Sequence, residues 1–200
     1  MPTMHDQLNT VIQRGYLRVY PEGHPEAPLY EHKNTICLNS GYLFARLMAA
    51  TAGDTPVWPT SSVWGLALGA GAPDWPANSQ PDALPTQQAI LTPLLRKRLS
   101  TLRYVDSDLN PIPNNGLSKI LDVQTTINAT TDGLTLPIRE LGLIGGGSSQ
   151  TDFLNTPLFD SSTQNGINTV ADPILINYLT TPPMKLPEGI TFIFSWILYL

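Results

Sequence analysis

Residues 190–200, Ile-Thr-Phe-Ile-Phe-Ser-Trp-Ile-Leu-Tyr-Leu, constrain the fold more than any other stretch of the chain. Ile190, Phe192, Phe194, Trp196, Leu198 and Leu200 alternate as large apolar residues, the period of a buried strand face. The opposite face, Thr191, Ile193, Ser195, Ile197 and Tyr199, carries no charge. A strand with one wet face would carry charge there, so the pattern predicts a central strand covered on both sides. Pro187-Glu188-Gly189 marks the turn that starts it. The second face, and Ile193, Ile197 and Tyr199 in particular, is expected to be covered by another subunit where its own sheet does not cover it.

Two hundred residues suit one domain, divided on this reading into an arm over 1–15 and a single domain over 16–200. Charged residues make up only 14%, against roughly 25% in ordinary globular domains, so neighbours are expected to cover part of the surface. Nineteen prolines and 15 glycines predict many turns and few long helices. The net charge of -5 argues against a nucleic-acid partner, which needs a basic surface. With Cys37 the single cysteine, no intrachain disulfide forms, and its apolar setting predicts a buried thiol. Residues 1–15 lack the apolar core of a signal peptide. The run at 190–200 is also shorter than the roughly 20 residues of a membrane-spanning helix. The expectation is a soluble chain made in a cytosol, with no membrane span.

Along the chain, strands are predicted at Tyr16–Tyr20, Leu29–His32, Val63–Gly69, Leu99–Val105, Lys119–Asn128, Leu134–Ile144, Ile174–Leu179 and the final stretch. Turn signals separate them, among them Asn114-Asn115-Gly116, Asp132-Gly133 and Thr181-Pro182-Pro183. Asn34–Gly53 is the best helix candidate, with Asn39 or Ser40 as N-cap and Leu43, Phe44, Leu47 and Met48 on one face. Thr86–Leu95 is expected to include a short helix, with Arg96-Lys97-Arg98 as its solvated end. Ala70–Pro85 reads as a long proline-rich loop, and 148–170 as a polar loop insertion. The predicted fold is mainly β: an antiparallel β-sandwich, jelly-roll-like, with one N-terminal helix packed on it.

No stretch carries a strong catalytic signature. His24 and His32 with Glu22, Glu26 and Glu31 match no compact metal-ligand spacing, and no metal or cofactor is predicted. Gly69-Ala70-Gly71 follows a strand as a phosphate loop would, but Pro73 and Pro76 block the helix that would hold the phosphate. Asp106 with Asp108, or Asp152 with Asp160, have no feature that marks them off from ordinary loop acids. Trp64 lies in a strand and reads as core. Trp58 and Trp75 sit among prolines and are the better contact candidates.

Ile138-Arg139-Glu140-Leu141-Gly142-Leu143-Ile144-Gly145 resembles the "Arg/Ile-Glu-hydrophobic-Gly-Leu-Phe" strand of tail-fibre and baseplate-associated proteins of tailed bacteriophages. Three further stretches resemble that family in the same order. They are Asn34-Thr35-Ile36 with Asn39-Ser40-Gly41, then Val63–Gly71 followed by Ala83-Leu84 and Arg98, then Leu175–Tyr178 with Pro182-Pro183, Lys185 and Trp196. The likeness spans residues 16–200. It departs at Ile144, where the family tends to have phenylalanine, and in the insertion at 148–170. The resemblance implies a non-enzymatic structural component of a virion tail, or of a phage-like contractile injection system, assembled in the host cytoplasm. It would be a baseplate or tail-fibre adaptor, with a homo-oligomer (trimer or sixfold ring) and other tail proteins as partners. A capsid decoration protein is the nearest rival. A carbohydrate-binding host-attachment module using Trp58 and Trp75, with a host-surface glycan as ligand, is the second, and a polysaccharide hydrolase the third.

Overall fold

A computed structural model describes residues 14–38, 40–41, 63–113, 118–145 and 174–199. The described residues form strands β1 (Arg14–Pro21), β2 (Tyr30–Lys33), β3 (Thr35–Ile36), β4 (Val63–Gly69), β5 (Pro93–Arg98) and β6 (Thr101–Val105). They continue with β7 (Ile120–Asn128), β8 (Ile138–Gly145), β9 (Ile174–Leu175), β10 (Asn177–Met184) and β11 (Thr191–Tyr199). All pairings are antiparallel. One sheet runs β2-β1-β11-β7-β6 and the other β3-β10-β8-β4-β5, with β9 also on β8.

The terminal strand is the middle strand of the first sheet. Its whole length pairs on one side with β1, from Arg14↔Tyr199 to Pro21↔Phe192, and on the other with β7, from Thr191↔Asn128 to Tyr199↔Ile120. Phe194 is 0% and Trp196 1% exposed, as the alternation requires of an inward face. These side chains join Leu17, Val19, Val123 and Ile127 of the same sheet and Leu66, Leu68, Leu95, Leu141, Leu143 and Leu179 of the other in one apolar cluster. A core drawn from both sheets is compatible with a β-sandwich.

Among the described strands the chain changes sheet four times, twice at tight corners. Asn34 alone separates β2 from β3, and Leu99-Ser100 separate β5 from β6. The second corner explains a misread stretch. Thr86–Leu95 contains turns and the start of β5 rather than a helix, and Arg96-Lys97-Arg98 is strand rather than a solvated helix end. Leu94, Leu95 and Arg96 are buried in succession there. Lys97 Nζ donates to both oxygens of Asp132 at 2.7 Å, and Asp132 also accepts from the Asn128 amide. Lys97 is thus held by the acid of the turn that follows β7, while Arg98 stays exposed.

Two further readings change. The helix expected over Asn34–Gly53 does not begin at Asn34: Thr35–Ile36 is strand, because it pairs with Asn177–Tyr178. Ser40 and Gly41 are helical, and the rest of that stretch lies outside the described residues. Thr181-Pro182-Pro183 does not separate strands either. It lies inside β10, where the register shifts between Thr180↔Glu140 and Met184↔Ile138. Proline donates no ladder hydrogen bond and is accommodated at such an irregularity.

Candidate functional site

Two of the stretches that carry the resemblance, Ile138–Gly145 and Leu175–Tyr178, lie side by side on β8 and β9–β10. Glu140 is 0% exposed, on a strand flanked by β10 and β4. A lone acid on an otherwise apolar strand calls for a neighbouring cation or an edge position. Instead, the Glu140 carboxylate accepts from the backbone amides of Gly71 (3.1 Å), Leu91 (3.0 Å) and Thr92 (2.9 Å), and from the Tyr178 hydroxyl (2.8 Å). Three amides and a hydroxyl offset the desolvation of a buried charge without any counter-cation. The arrangement explains Gly69-Ala70-Gly71. Gly71 has φ +76°, an added Cβ there would strike the Trp75 ring, and one at Gly69 would strike Glu140. The amide a phosphate would have needed is taken by a carboxylate.

Arg139, beside it in sequence, reaches a different part of the same loop. Its guanidinium donates to the carbonyls of Pro76 (2.5 Å) and Ser79 (2.6 Å) and lies 5.4 Å from the centre of the Trp75 ring. Trp75 therefore has its ring engaged by Arg139 and Gly71, and is half-buried. Asn177, 0% exposed, has the backbone partner that a buried strand asparagine requires. Its Oδ1 accepts from the Leu143 amide at 2.7 Å, while the Ile176 amide donates to the Leu143 carbonyl at 2.8 Å. Ile144 pairs with Leu175 and Leu141 with Leu179, so β9–β10 carries one residue more than β8 opposite it. The asparagine side chain fills the ladder position that this bulge leaves open. Gly142 is needed beside it, since a Cβ there would lie 2.6 Å from the Asn177 carbonyl oxygen.

The other face singled out by the sequence belongs to β11. Ile197 is 2% exposed, while Ile193 and Tyr199 are half-buried. In register around them stand Tyr16, Arg18 and Tyr20 of β1 and Asp122 and Gln124 of β7. At the centre is Asp122, 3% exposed. It accepts from Ser195 Oγ at 2.6 Å, Gln124 Nε2 at 2.7 Å, and Arg103 Nη2 and Nε at 2.8 and 3.0 Å. Tyr16 and Tyr199 approach with ring centres 6.3 Å apart. Burial, followed by the neighbouring Tyr199, pushes the Tyr16 hydroxyl up to about 12. The uncharged face of β11 is thus flanked by a charged network from β6 and β7, which Ser195 joins. Trp75 lies apart from this group, over the other sheet, and Trp58 is outside the described residues.

The remaining candidates have local roles. Asp106 accepts from the amides of Asp108 and Asn110, holding Leu109 at φ 65° in a tight turn. These bonds, Asn110's first, lower its pKa. Asp152 and Asp160 lie outside the described residues. His24 Nδ1 lies 3.1 Å from Glu26 on an exposed turn, and His32 Nδ1 lies 2.6 Å from the Lys33 carbonyl. Among the described residues no three His, Cys, Asp or Glu side chains group to hold a metal, and no helix is long and apolar enough to cross a membrane. A groove of about 440 Å³ between the β7–β8 and β10–β11 connections is lined by Leu134, Leu136, Met184 and Leu186, with Lys185 and Glu188 as its charged groups.

Cys37 is 1% exposed, and burial raises its thiol from 9.0 to about 12. In the unfolded chain that thiol ionises near its ordinary value, so folding stability is full below pH 9 and falls as pH rises towards 12. Tyr16 shifts in the same direction, from 10.0 to about 12, and adds to the loss above pH 10. Urea midpoints measured from pH 8 to 11 are expected to fall continuously above pH 9. Cys37→Ala should flatten the part of that slope between pH 9 and 10, and an unchanged slope would show that the thiol is not its source.

The sequence matches no family model and no curated protein.

Proposed function

We propose that the chain is a non-enzymatic structural component of a bacteriophage tail, a baseplate or tail-fibre adaptor that acts through contacts with copies of itself and with other tail proteins. One observation carries the reading. The polar residues of the stretches that resemble the phage family, Arg139, Glu140, Asn177 and Tyr178, are committed to hydrogen bonds inside the fold. They define how a long loop and a bulged strand sit on a sheet. A motif of that kind marks a scaffold, and its likeness to tail proteins therefore bears on architecture and assembly rather than on a reaction.

We also propose a jelly-roll-like arrangement of the strands. Outermost pairs nest around inner ones, β1 with β11, β3 with β10, β4 with β8 and β6 with β7. In that respect the body is a jelly-roll-like sandwich. The half-buried Ile193 and Tyr199, set among tyrosines and arginines, have the composition of an interface centre. Stacking of a glycan on Trp75 is the weaker reading, because Arg139 and Gly71 already engage that ring.

The test is the mass of the purified chain in solution, followed by the position of a labelled subunit in an assembled particle. A trimer or sixfold multiple, with label on the tail, is expected. A monomer at assembly concentrations, or label on the head, would overturn the proposal.

A further inference from the structure

The connection Ala70–Thr92 joins two paired strands, β4 and β5, and Gly69 opposite Pro93 closes its neck. It does not project as a hairpin loop. It folds back over the outer side of the β8–β10 sheet, where Ala83 and Ile90 pack on a second apolar cluster of Cys37, Ala67, Ile144, Leu175 and Tyr178.

Its attachments are unlike those of the sheets. At the neck, Glu140 takes the amides of Gly71, Leu91 and Thr92, and the Ala70 amide donates to the Thr92 carbonyl. Along the body, Arg139 donates to Pro76 and Ser79, Thr180 Oγ1 to the Pro81 carbonyl at 2.6 Å, Thr35 Oγ1 to Ala83, and the Leu38 amide to Pro85. These fastenings are separate polar contacts to side chains and to one loop amide. No ladder joins the connection to the sheet, and its apolar contribution is small. Exposed residues run along Pro73-Asp74 and Pro76–Ser79, and Leu84 and Leu91 face solvent. A segment with few buried apolar contacts, held by discrete hydrogen bonds, opens at lower free energy than the strands it covers.

We infer that Ala70–Thr92 is a strap that lifts from the sheet as one unit while both sheets stay folded, with Glu140 fixing the bend at its neck and Arg139 and Thr180 fastening its body. Lifting uncovers the second cluster. The inference concerns the chain's own mechanics, and stands whether or not the phage reading does.

The experiment is amide exchange by mass spectrometry on the full chain, with the labelling rate of Cys37 by a small thiol reagent as a second readout. Cys37 reports cleanly because it is the only cysteine. In the unmodified protein, exchange at Gly71, Leu91 and Thr92 is expected to be faster than at β11 and nearly independent of urea below the unfolding transition. Thr180→Val keeps shape and removes one fastening. It should speed exchange across 71–92 and Cys37 labelling about threefold to tenfold, the effect of one lost hydrogen bond, with β7 and β11 unchanged. Glu140→Gln should do the same by tenfold or more if it folds, since its lost bonds are charge-assisted (about twice as strong). The inference is overturned if exchange at 71–92 tracks β11 in the unmodified protein. It is also overturned if Thr180→Val accelerates strap and sheets by the same factor, or leaves Cys37 labelling unchanged.

Discussion

A chain that stops at Phe192 will not fold. The deletion is short, but in the first sheet it removes the strand on which the other two long strands depend. Without 193–199, β1 loses its partners from Arg14 to Tyr20 and β7 loses Ile120–Thr126. Phe194 and Trp196, among the largest fully buried side chains, leave the core together with Leu198. Each such side chain is worth about 1.5–3 kcal/mol in transfer alone, and truncating an aromatic to alanine costs about 3–5 kcal/mol. Three of them exceed much of the roughly 5–15 kcal/mol by which domains are stable. The expected result is insoluble material, or a soluble product with no cooperative urea transition. A folded, assembly-competent product would show that this strand is not what organises the chain. Phe194→Ala is the graded version, with a midpoint lowered by the equivalent of about 4 kcal/mol.

Asp122→Ala is expected to destabilise the chain by about 3 kcal/mol, at the lower end of the cost of breaking a buried ion pair. The lower end applies because Arg103 is 37% exposed and can return its guanidinium to water. Ser195 and Gln124 have no such escape, being 3% and 9% exposed. The check is a double variant. Arg103→Met with Asp122→Ala should recover about 1 kcal/mol of the loss, because the stranded charge is gone. A loss under about 1 kcal/mol for Asp122→Ala would mean that the network covers the strand without supporting it.

The contrast between these two sites explains what could be seen in the sequence. The terminal strand and Val63–Gly69 were legible because their signal is local: an apolar run of the right period, punctuated by glycine or proline. β4 has the bounds that its pattern predicts. Asp122 was not legible, because its partners come from β6, β7 and β11 and each looks like an ordinary polar residue in its own strand. Glu140 showed its oddity, a lone acid on an apolar strand, but not its answer. Its donors are backbone amides 48 to 69 residues away, which no side-chain pattern announces. Arg96-Lys97-Arg98 was misread for the opposite reason. Local propensity favours a solvated helix end, and the pairing of Gly65–Ala67 with Arg96–Arg98 overrides it. Pro182-Pro183 stopped the predicted strand because proline normally does, and the bulge that admits them is a property of the register with β8.

Placing the first strand beside the last has a consequence for the order in which the molecule can be made. As the polypeptide emerges, β1 and β3 appear well before their partners β11 and β10. Until then β1 has β2 on one side only, and Leu17 and Val19 lack the core that β11 completes, a situation that favours chaperone capture or aggregation. Both sheets can therefore close only once β10 and β11 have emerged, and comparatively slowly because these contacts are remote along the chain.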